Sequence, residues 1–225
     1  MPLKGADHFP NLSGKGFLLT LEGPEGSGKS SLIQYLDSHL KSAGYPLLLT
    51  REPGGTALGS QIREWLLHKQ DLAPWTELLL FLADRTQHLH EIIFPALQQG
   101  QLVLCDRFMD STTAYQHAGR GFDLNLIQAM HAHTLQNFKP HLTLLLDVEV
   151  SVGLERARQA TGKQHDKFEA LDITFHERVR QAFLTLAQQE PQRFVVVDTT
   201  HAAAEDVGRQ VLAQVLSRLK AHFVG

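Results

Sequence analysis

The sequence predicts an α/β domain in which a doubly wound, five-stranded parallel sheet is flanked by helices and carries a short lid. Three observations favour this fold class. Five short apolar runs alternate along the chain with longer segments of helical periodicity. These runs are mostly continuous rather than alternating, which is typical of parallel strands buried on both faces. The 225 residues are enough for one good-sized domain.

The five predicted strands are short and rich in leucine and valine. They are FLLTL (17–21), PLLLT (46–50), QLVLC (101–105), HLTLLLD (141–147) and RFVVVD (193–198). Ligands of such sheets bind beyond the carboxyl ends of the strands, so polar residues at those ends are candidates for a site. The candidates are Gly23, Arg51, Asp106, Asp147 and Asp198.

Helices are predicted between the strands. In the first one, Leu32, Ile33, Leu36 and Leu40 share one face. A long helix is expected over residues 74–99, with a break or kink at Pro95. The other helical segments are predicted near residues 57–67, 110–118, 124–138, 150–159, 169–189 and 203–222.

Composition narrows the classes of function. The formal net charge of −3 gives no positive field for nucleic acid or an anionic membrane, and we expect neither as a partner. No apolar run is long enough to span a membrane, and Cys105 is the single cysteine, so we expect a cytoplasmic protein without disulfides. Residues 1–15 are predicted to form a flexible polar extension before a single domain at residues 16–225.

A phosphate-binding loop follows the first strand. Residues 23–30, GPEGSGKS, fit the pattern Gly-x-x-x-x-Gly-Lys-Ser between an apolar strand and an amphipathic helix. Glycines let backbone N–H groups and the helix start surround a phosphate, and Lys29 reaches the β- and γ-phosphates. The motif indicates a P-loop NTPase-type fold. The predicted ATP phosphate ligands are Gly23, Pro24, Glu25, Gly26, Ser27, Gly28, Lys29, Ser30 and Ser31.

A magnesium site is predicted beside this loop. Ser30 offers a hydroxyl to Mg²⁺, which accompanies ATP in such sites. A carboxylate at the end of a neighbouring strand is expected near the metal, acting through water. Both Asp106 and Asp147 fit that description, and we favour Asp106 because Arg107 follows it.

Four arginines follow predicted strand or helix ends: Arg51, Arg85, Arg107 and Arg120. Transfer between two nucleotides brings four or five phosphates together, and guanidinium groups fit phosphate oxygens. A surface ion pair is the alternative for any one of them. Because no Asn-Lys-x-Asp guanine motif is present, the arginines beside a phosphate loop favour a kinase over a switch GTPase.

With these motifs, the chain resembles the thymidylate kinases over about residues 17–222. The stretches that carry the resemblance are GPEGSGKS (23–30), TREPGGT (50–56), FLADR (81–85), DRFMDSTTAYQ (106–116), GRGFD (119–123), LLLDV (144–148) and RARQATGKQHDKFE (156–169). The resemblance implies phosphorylation of dTMP to dTDP by ATP and Mg²⁺, in one direct in-line transfer that serves dTTP synthesis. It also implies a homodimer formed through helices of this domain.

The resemblance assigns residues to the acceptor base. Phe81 would stack on thymine, with plain core packing as the alternative. Arg85 would donate to thymine O4, which selects a carbonyl over the amine of cytosine. Thr112, with Ser111 or Thr113 nearby, would read the N3–O2 edge.

It also assigns residues to the acceptor sugar and phosphate. Tyr115 would pack where a ribose 2′-hydroxyl would sit and so favour deoxyribose. Glu25 would contact the sugar hydroxyl or help to place the acceptor. Arg51 and Arg107 would hold the acceptor phosphate. The Glu52–Pro53 peptide bond, in the same site, is expected to be cis.

The lid is predicted at about residues 156–169. Because the phosphate loop contains no arginine, the chain resembles the thymidylate kinases that supply arginine from the lid, a style usual in bacteria. We predict that Arg158 neutralises charge in the transition state, with Arg156 and Lys163 as alternatives.

Catalysis would rest on positioning and on charge neutralisation by Lys29, Arg107 and Mg²⁺, without a covalent intermediate. Two other functions stay open on the sequence alone. A kinase for dUMP, dCMP or a deoxynucleoside would use the same loop, with Glu25 or Asp106 as the base for a nucleoside. A nucleotide-binding protein without turnover would keep Lys29 and Ser30 but would have little use for lid arginines.

Overall fold

The computed structural model describes residues 16–69, 71–161, 168 and 171–224. The extension predicted at residues 1–15 lies outside these ranges, as do residues 162–167 and 169 of the predicted lid. None of the helices in the described part is long and apolar enough to cross a membrane.

The strands form one parallel sheet, which confirms the predicted fold class. They are β1 Phe17–Glu22, β2 Leu47–Arg51, β3 Leu102–Asp106, β4 Leu142–Asp147 and β5 Phe194–Asp198. Their order across the sheet is β2-β3-β1-β4-β5, and every neighbouring pair is parallel. The central strands β1 and β4 are buried throughout, as their continuous apolar sequences predict.

The two edge strands differ from that prediction. Leu49 in β2 and Val196 in β5 are exposed. An edge strand has a neighbour on one side only, so the helices cover it less completely. A continuous apolar run cannot distinguish an edge strand from a central one, and the expectation of two buried faces is wrong for these two strands.

The helices lie where helical periodicity was found, with some changes of boundary. In the described residues they are α1 Lys29–Ser42, α2 Ala57–His68, α3 Pro74–His88, α4 Phe94–Gln98, α5 Met109–Thr112, α6 Leu124–Leu135, α7 Val150–Thr161, α8 Ile173–Gln189 and α9 Ala204–Val224.

The helix predicted over residues 74–99 contains a wide turn rather than a break at Pro95. α3 passes into a π-helical turn, Leu89–Ile93, where the Phe94 N–H donates to Leu89 O five residues back. Pro95 lies in the first turn of α4, where a missing N–H costs little. The predicted break at Pro95 is therefore wrong, and the irregularity lies just before it.

Three other boundaries differ from the sequence prediction. The helix expected at residues 110–118 divides into α5 and a π-helical segment, Thr113–Gly119. α6 ends at Leu135 because Gln136 and Asn137 adopt left-handed φ angles of 48° and 62°. α8 begins at Ile173, after Asp172 accepts the Phe175 N–H as a helix cap.

Packing on the two faces of the sheet orients the helix that follows the phosphate loop. On one face, Leu36 and Leu40 of α1 and Val211 and Val215 of α9 pack on the central strands. On the other face, the π-helical turn Leu89–Ile93 and α4 pack on β1 and β3. Burial of α1 against the sheet holds its N-terminus at the carboxyl ends of the strands.

The predicted convergence of polar residues at one sheet edge is confirmed by the strand register. Arg51 at the end of β2 lies opposite Asp106 at the end of β3, and Asp106 in turn lies opposite Leu21 in β1. Asp147 and Asp198 pair at the ends of β4 and β5. The edge that carries them is the one from which the phosphate loop leaves β1.

Candidate active site

The loop between β1 and α1 has the backbone of a phosphate cradle. Gly23, Gly26 and Gly28 have φ angles of 144°, 66° and 92°, which L side chains rarely adopt. α1 begins directly afterwards at Lys29, so its free N–H groups face the loop. At the apex, a Cβ on Gly26 would lie 1.9 Å from the carbonyl oxygen of Gly153 in α7. The loop is therefore held by α1 on one side and by α7 on the other.

Lys29 is folded back into this loop. Its Nζ donates to Gly23 O at 2.9 Å, Pro24 O at 2.8 Å and Ser27 Oγ at 3.2 Å. Burial, together with the nearby Arg107 guanidinium, lowers the pKa of Lys29 to about 8. A nucleotide phosphate would restore the preference for the charged ammonium.

Ser30 and Asp106 fit the predicted metal position. Both line the same cavity, with Ser30 exposed at the start of α1. Asp106 Oδ1 is buried and has no hydrogen-bond partner among the described residues. The competing carboxylate, Asp147, instead accepts two bonds from Arg180, at 2.7 and 2.8 Å. A hydroxyl and an unpaired carboxylate oxygen are hard oxygen donors that suit Mg²⁺.

A cavity of about 230 Å³ opens from this position, and the predicted acceptor residues line it with the exception of Thr113, the alternative to Ser111. It runs from the phosphate loop to the aromatic and arginine side chains of α3. The predicted acceptor residues on its wall are Glu25, Arg51, Pro53, Phe81, Arg85, Arg107, Ser111, Thr112 and Tyr115. The Glu52–Pro53 peptide bond is cis, as predicted.

Arg85 is fully buried, with 2% of its surface exposed, and its position is fixed by three bonds. Nε donates to Glu52 Oε2 at 2.7 Å, Nη1 to Thr112 Oγ1 at 2.7 Å and Nη2 to Phe108 O at 2.9 Å. Each terminal nitrogen therefore has a second N–H that bonds to none of the described residues. His88 Nδ1 donates to the other oxygen of Glu52 at 2.9 Å and closes this buried chain.

Arg107 connects the phosphate loop to the acceptor side. Its backbone has a left-handed φ of 66°. Nη1 donates to Gly23 O at 3.1 Å and Nη2 to Glu25 Oε1 at 3.3 Å, while the guanidinium lies 5.1 Å from the ring centre of Tyr115. The following turn is held by buried Glu22, which accepts the Phe108 N–H at 2.8 Å.

The remaining predicted arginines lie differently. Arg156 and Arg158 belong to α7 rather than to a separate loop. Arg156 donates to Thr199 O and Thr200 O, each at 2.9 Å, while exposed Arg158 pairs with Glu155 at 3.9 Å. The alternative donor Lys163 lies outside the described residues.

Arg120 fits the ion-pair alternative rather than a phosphate contact. Its guanidinium makes two bonds of 3.2 Å to buried Glu77 and lies over the rings of Phe168 and Phe175. It does not line the acceptor cavity.

Comparison with known proteins identifies the family. The thymidylate kinase family model matches residues 21–211. The chain belongs to the thymidylate kinase family. It is 46% identical over 207 residues to the thymidylate kinase of Pelobacter propionicus, covering 89% of this chain and 94% of that protein. It is 47% identical over 192 residues to that of Deinococcus radiodurans, covering 85% and 92%.

A solved structure agrees with these sequence matches. The crystal structure of thymidylate kinase from Ehrlichia chaffeensis has a TM-score of 0.73 and 33% identity, covering 89% of this chain and 99% of that one. As a member of the thymidylate kinase family, the chain is a phosphotransferase that phosphorylates dTMP.

Several residues of this thymidylate kinase site were missed by sequence reasoning. Arg63 in α2 lines the acceptor cavity, and its Nη1 donates to Pro53 O at 2.9 Å. Phe168 lines the cavity opposite Phe81, with ring centres 6.3 Å apart. His176 in α8 reaches Glu25. Arg63 could have been predicted, because it lies on the helix that directly follows the REPGG loop. His176 could not, because no sequence pattern relates it to Glu25, which lies more than a hundred positions earlier.

Proposed function

We propose that this chain transfers the γ-phosphoryl group of ATP, with Mg²⁺, to the phosphate of dTMP in one in-line step. The observation that supports this mechanism best is the single cavity that joins Ser30 and Asp106 at the phosphate loop to Phe81 and Arg85. A donor phosphate in the loop and a nucleotide in the cavity would thus face each other without a barrier of protein.

The base end of the cavity suits a pyrimidine with a carbonyl at C4. Phe81 offers a ring face, and the remaining N–H groups of Arg85 can donate to O4 but cannot accept from an amine. Thr112 already accepts from Arg85, so its own hydroxyl proton is available to a base atom. These contacts favour thymine over cytosine.

The other end of the cavity suits a deoxyribose phosphate. The Tyr115 hydroxyl donates to Glu25, which places the ring and the carboxylate together on the sugar side. Exposed Arg51 and half-buried Arg107 lie where the acceptor phosphate would meet the donor. Two guanidinium groups offset the repulsion between the phosphates of the two substrates.

Catalysis is proposed to rest on charge neutralisation around the transferred group. Lys29 would leave its loop carbonyls to contact the β- and γ-phosphates, and Arg107 would contact the acceptor phosphate. Ser30 and Asp106 would hold Mg²⁺, which would neutralise phosphate charge when bound. Arg158 on α7 is the proposed transition-state cation. Arg156 is bonded to the turn after β5 and is assigned to the ATP side of the site.

We also propose that a second copy of the chain covers the groove between α3 and α6. Its walls are largely apolar and include Leu79, Leu82 and Met130. Leu79 is 53% exposed, an unusual state for a leucine in the wall of a groove. In sedimentation equilibrium we expect the parent chain to be a dimer and the Leu79→Asp variant to be a monomer. Ile173→Asp is the control, because Ile173 is about as exposed as Leu79 but lies on α8, and this variant should remain a dimer. A monomeric parent chain would contradict the proposal.

Turnover with alternative acceptors tests the proposed mechanism. ADP release from ATP and Mg²⁺ is measured with dTMP, UMP, dCMP and thymidine in turn. We expect the highest kcat/KM for dTMP, lower values for UMP and dCMP, and none for thymidine, which has no acceptor phosphate. Lys29→Met should lose turnover with all of them. Equal rates for dTMP and dCMP would contradict the assignment of Arg85, and turnover of thymidine would contradict direct transfer to a phosphate.

A further inference from the structure

Glu25 belongs to the phosphate loop, but its side chain points to the acceptor cavity. Oε1 accepts from the Tyr115 hydroxyl and from Arg107 Nη2. Oε2 has no hydrogen-bond partner among the described residues, and it lies 3.4 Å from Nδ1 of His176. Oε2 is buried beside His176, and it is the carboxylate oxygen of Glu25 that keeps acceptor capacity for a further bond.

His176 lies in the first turn of α8, and 1% of its surface is exposed. Its ring contacts Phe175 edge-on at 5.5 Å. Nε2 is buried without a hydrogen-bond partner among the described residues. Burying an imidazole is costly, and an aliphatic residue would fill the same space without that cost. The contact with Glu25 is the feature of the site that a histidine, but not a leucine, can supply.

We propose that His176 is a positioning residue that holds Glu25 Oε2 toward the 3′-hydroxyl of the acceptor nucleotide. This proposal rests on the proposed function, in which the cavity binds dTMP. Nδ1 would carry the proton and donate to Oε2, which leaves a second lone pair of that oxygen for the sugar hydroxyl. The distance of 3.4 Å is long for such a bond and is expected to shorten when the acceptor fills the cavity.

The charges around Glu25 agree with this role. Burial alone would favour a neutral carboxyl, but His176, Arg107 and Lys29 together lower the pKa of Glu25 to about 2. Glu25 is then an acceptor of hydrogen bonds at any working pH, as contact with a hydroxyl requires. His176 also connects the helix after the lid to the phosphate loop, so it joins elements more than a hundred residues apart in the chain.

A pair of acceptors that differ only at the 3′ position tests the proposal. We compare kcat/KM for dTMP with that for 2′,3′-dideoxythymidine monophosphate and take the ratio as the measure of 3′-hydroxyl recognition. His176→Leu should lower this ratio by about 10- to 100-fold, the range expected for a hydrogen bond to a charged group. His176→Asn, which keeps an N–H near the position of Nδ1, should restore most of it. In a Glu25→Gln background, His176→Leu should change the ratio little.

His131→Leu is the matched control. His131 is also buried and has an unpartnered Nε2, but it lies on α6 and does not line the acceptor cavity. We expect it to change thermal stability and leave the ratio unchanged. An unchanged ratio in His176→Leu, or equal changes in both variants, would overturn the proposal. If the parent chain does not turn over dTMP, the proposed function fails instead.

A measurement on the unmodified protein covers the case in which His176→Leu does not fold. The ¹⁵N ring resonances of His176 are followed while dTMP or the dideoxy nucleotide is added. We expect a larger shift of Nδ1 with dTMP, because only that ligand engages Glu25 through the 3′-hydroxyl. Equal shifts with both nucleotides would overturn the proposal.

Discussion

Replacing Gly153 by alanine tests how closely helix α7 supports the phosphate loop. The residue has ordinary helical backbone, and its N–H donates to Glu149 O at 2.8 Å. Helix propensity alone therefore predicts that alanine stabilises the protein by about 1 kcal/mol. The new Cβ would, however, lie 2.5 Å from Glu25 O and 3.0 Å from Val148 Cγ1. The sign of the change in stability depends on which effect is larger.

The clash is expected to exceed the propensity gain. To reach an ordinary contact of 3.4 Å, the Glu25 carbonyl must retreat by roughly 0.9 Å. Overpacking of this kind costs about 1–3 kcal/mol, so the net loss is about 0–2 kcal/mol and the Tm falls by up to about 8 °C. A displacement of nearly 1 Å in a phosphate-holding loop costs activity more heavily, about 100-fold in kcat/KM for ATP.

The assay compares Gly153→Ala with Gly44→Ala. Gly44 follows α1 with a left-handed φ of 84° and has open space around its Cβ position. Alanine there should destabilise the fold by about 1 kcal/mol through backbone strain and leave kcat/KM for ATP unchanged. A Gly153→Ala variant with a raised Tm and full activity would show that α7 does not approach the loop this closely.

Three further predictions concern charged groups. Arg193→Met leaves the carboxylate of buried Asp110 without its partner at 2.7 Å. The free energy of unfolding, measured in urea, should therefore fall by about 3–5 kcal/mol. A loss below about 1 kcal/mol would contradict a buried ion pair. The pKa of Lys29 is lowered to about 8, so its ammonium is charged below that pH and neutral above it. We therefore expect kcat/KM for ATP to fall as the pH rises through 8. A flat pH profile up to pH 10 would contradict a role for the charged ammonium. Asp106→Asn should raise the Mg²⁺ concentration that gives a half-maximal rate by about 10-fold. The control Asp147→Asn weakens the ion pair with Arg180 and should leave that Mg²⁺ concentration unchanged. Equal shifts in the two Mg²⁺ titrations would reject Asp106 as the metal-side carboxylate.

The sequence predicted the sheet and the site edge well because both depend on local patterns. Continuous apolar runs gave each strand to within a residue or two, and the register then places Arg51 opposite Asp106. The phosphate loop has a fixed spacing, and the TREPGGT and DRFMDSTTAYQ motifs led to acceptor residues that line one cavity.

The features that were missed depend on tertiary contacts. The π-helical segments Leu89–Ile93 and Thr113–Gly119 interrupt helices that periodicity predicts as continuous. Arg120 pairs with the buried carboxylate of Glu77, and the spacing of residues along the sequence does not reveal that contact. His176 and Arg63 enter the site from other helices. The role of Arg158, the cytoplasmic location and the dimer stay predictions.

Phosphorylation of dTMP by this protein is tested by quantifying both products of one reaction. ATP, Mg²⁺ and dTMP are incubated with the protein, and ADP and dTDP are separated and measured over time. We expect ADP and dTDP to appear in equal amounts, and we expect only slow product formation when UMP replaces dTMP. ADP without dTDP, or no product despite bound ATP, would contradict the claim that this cavity carries a dTMP phosphoryl acceptor.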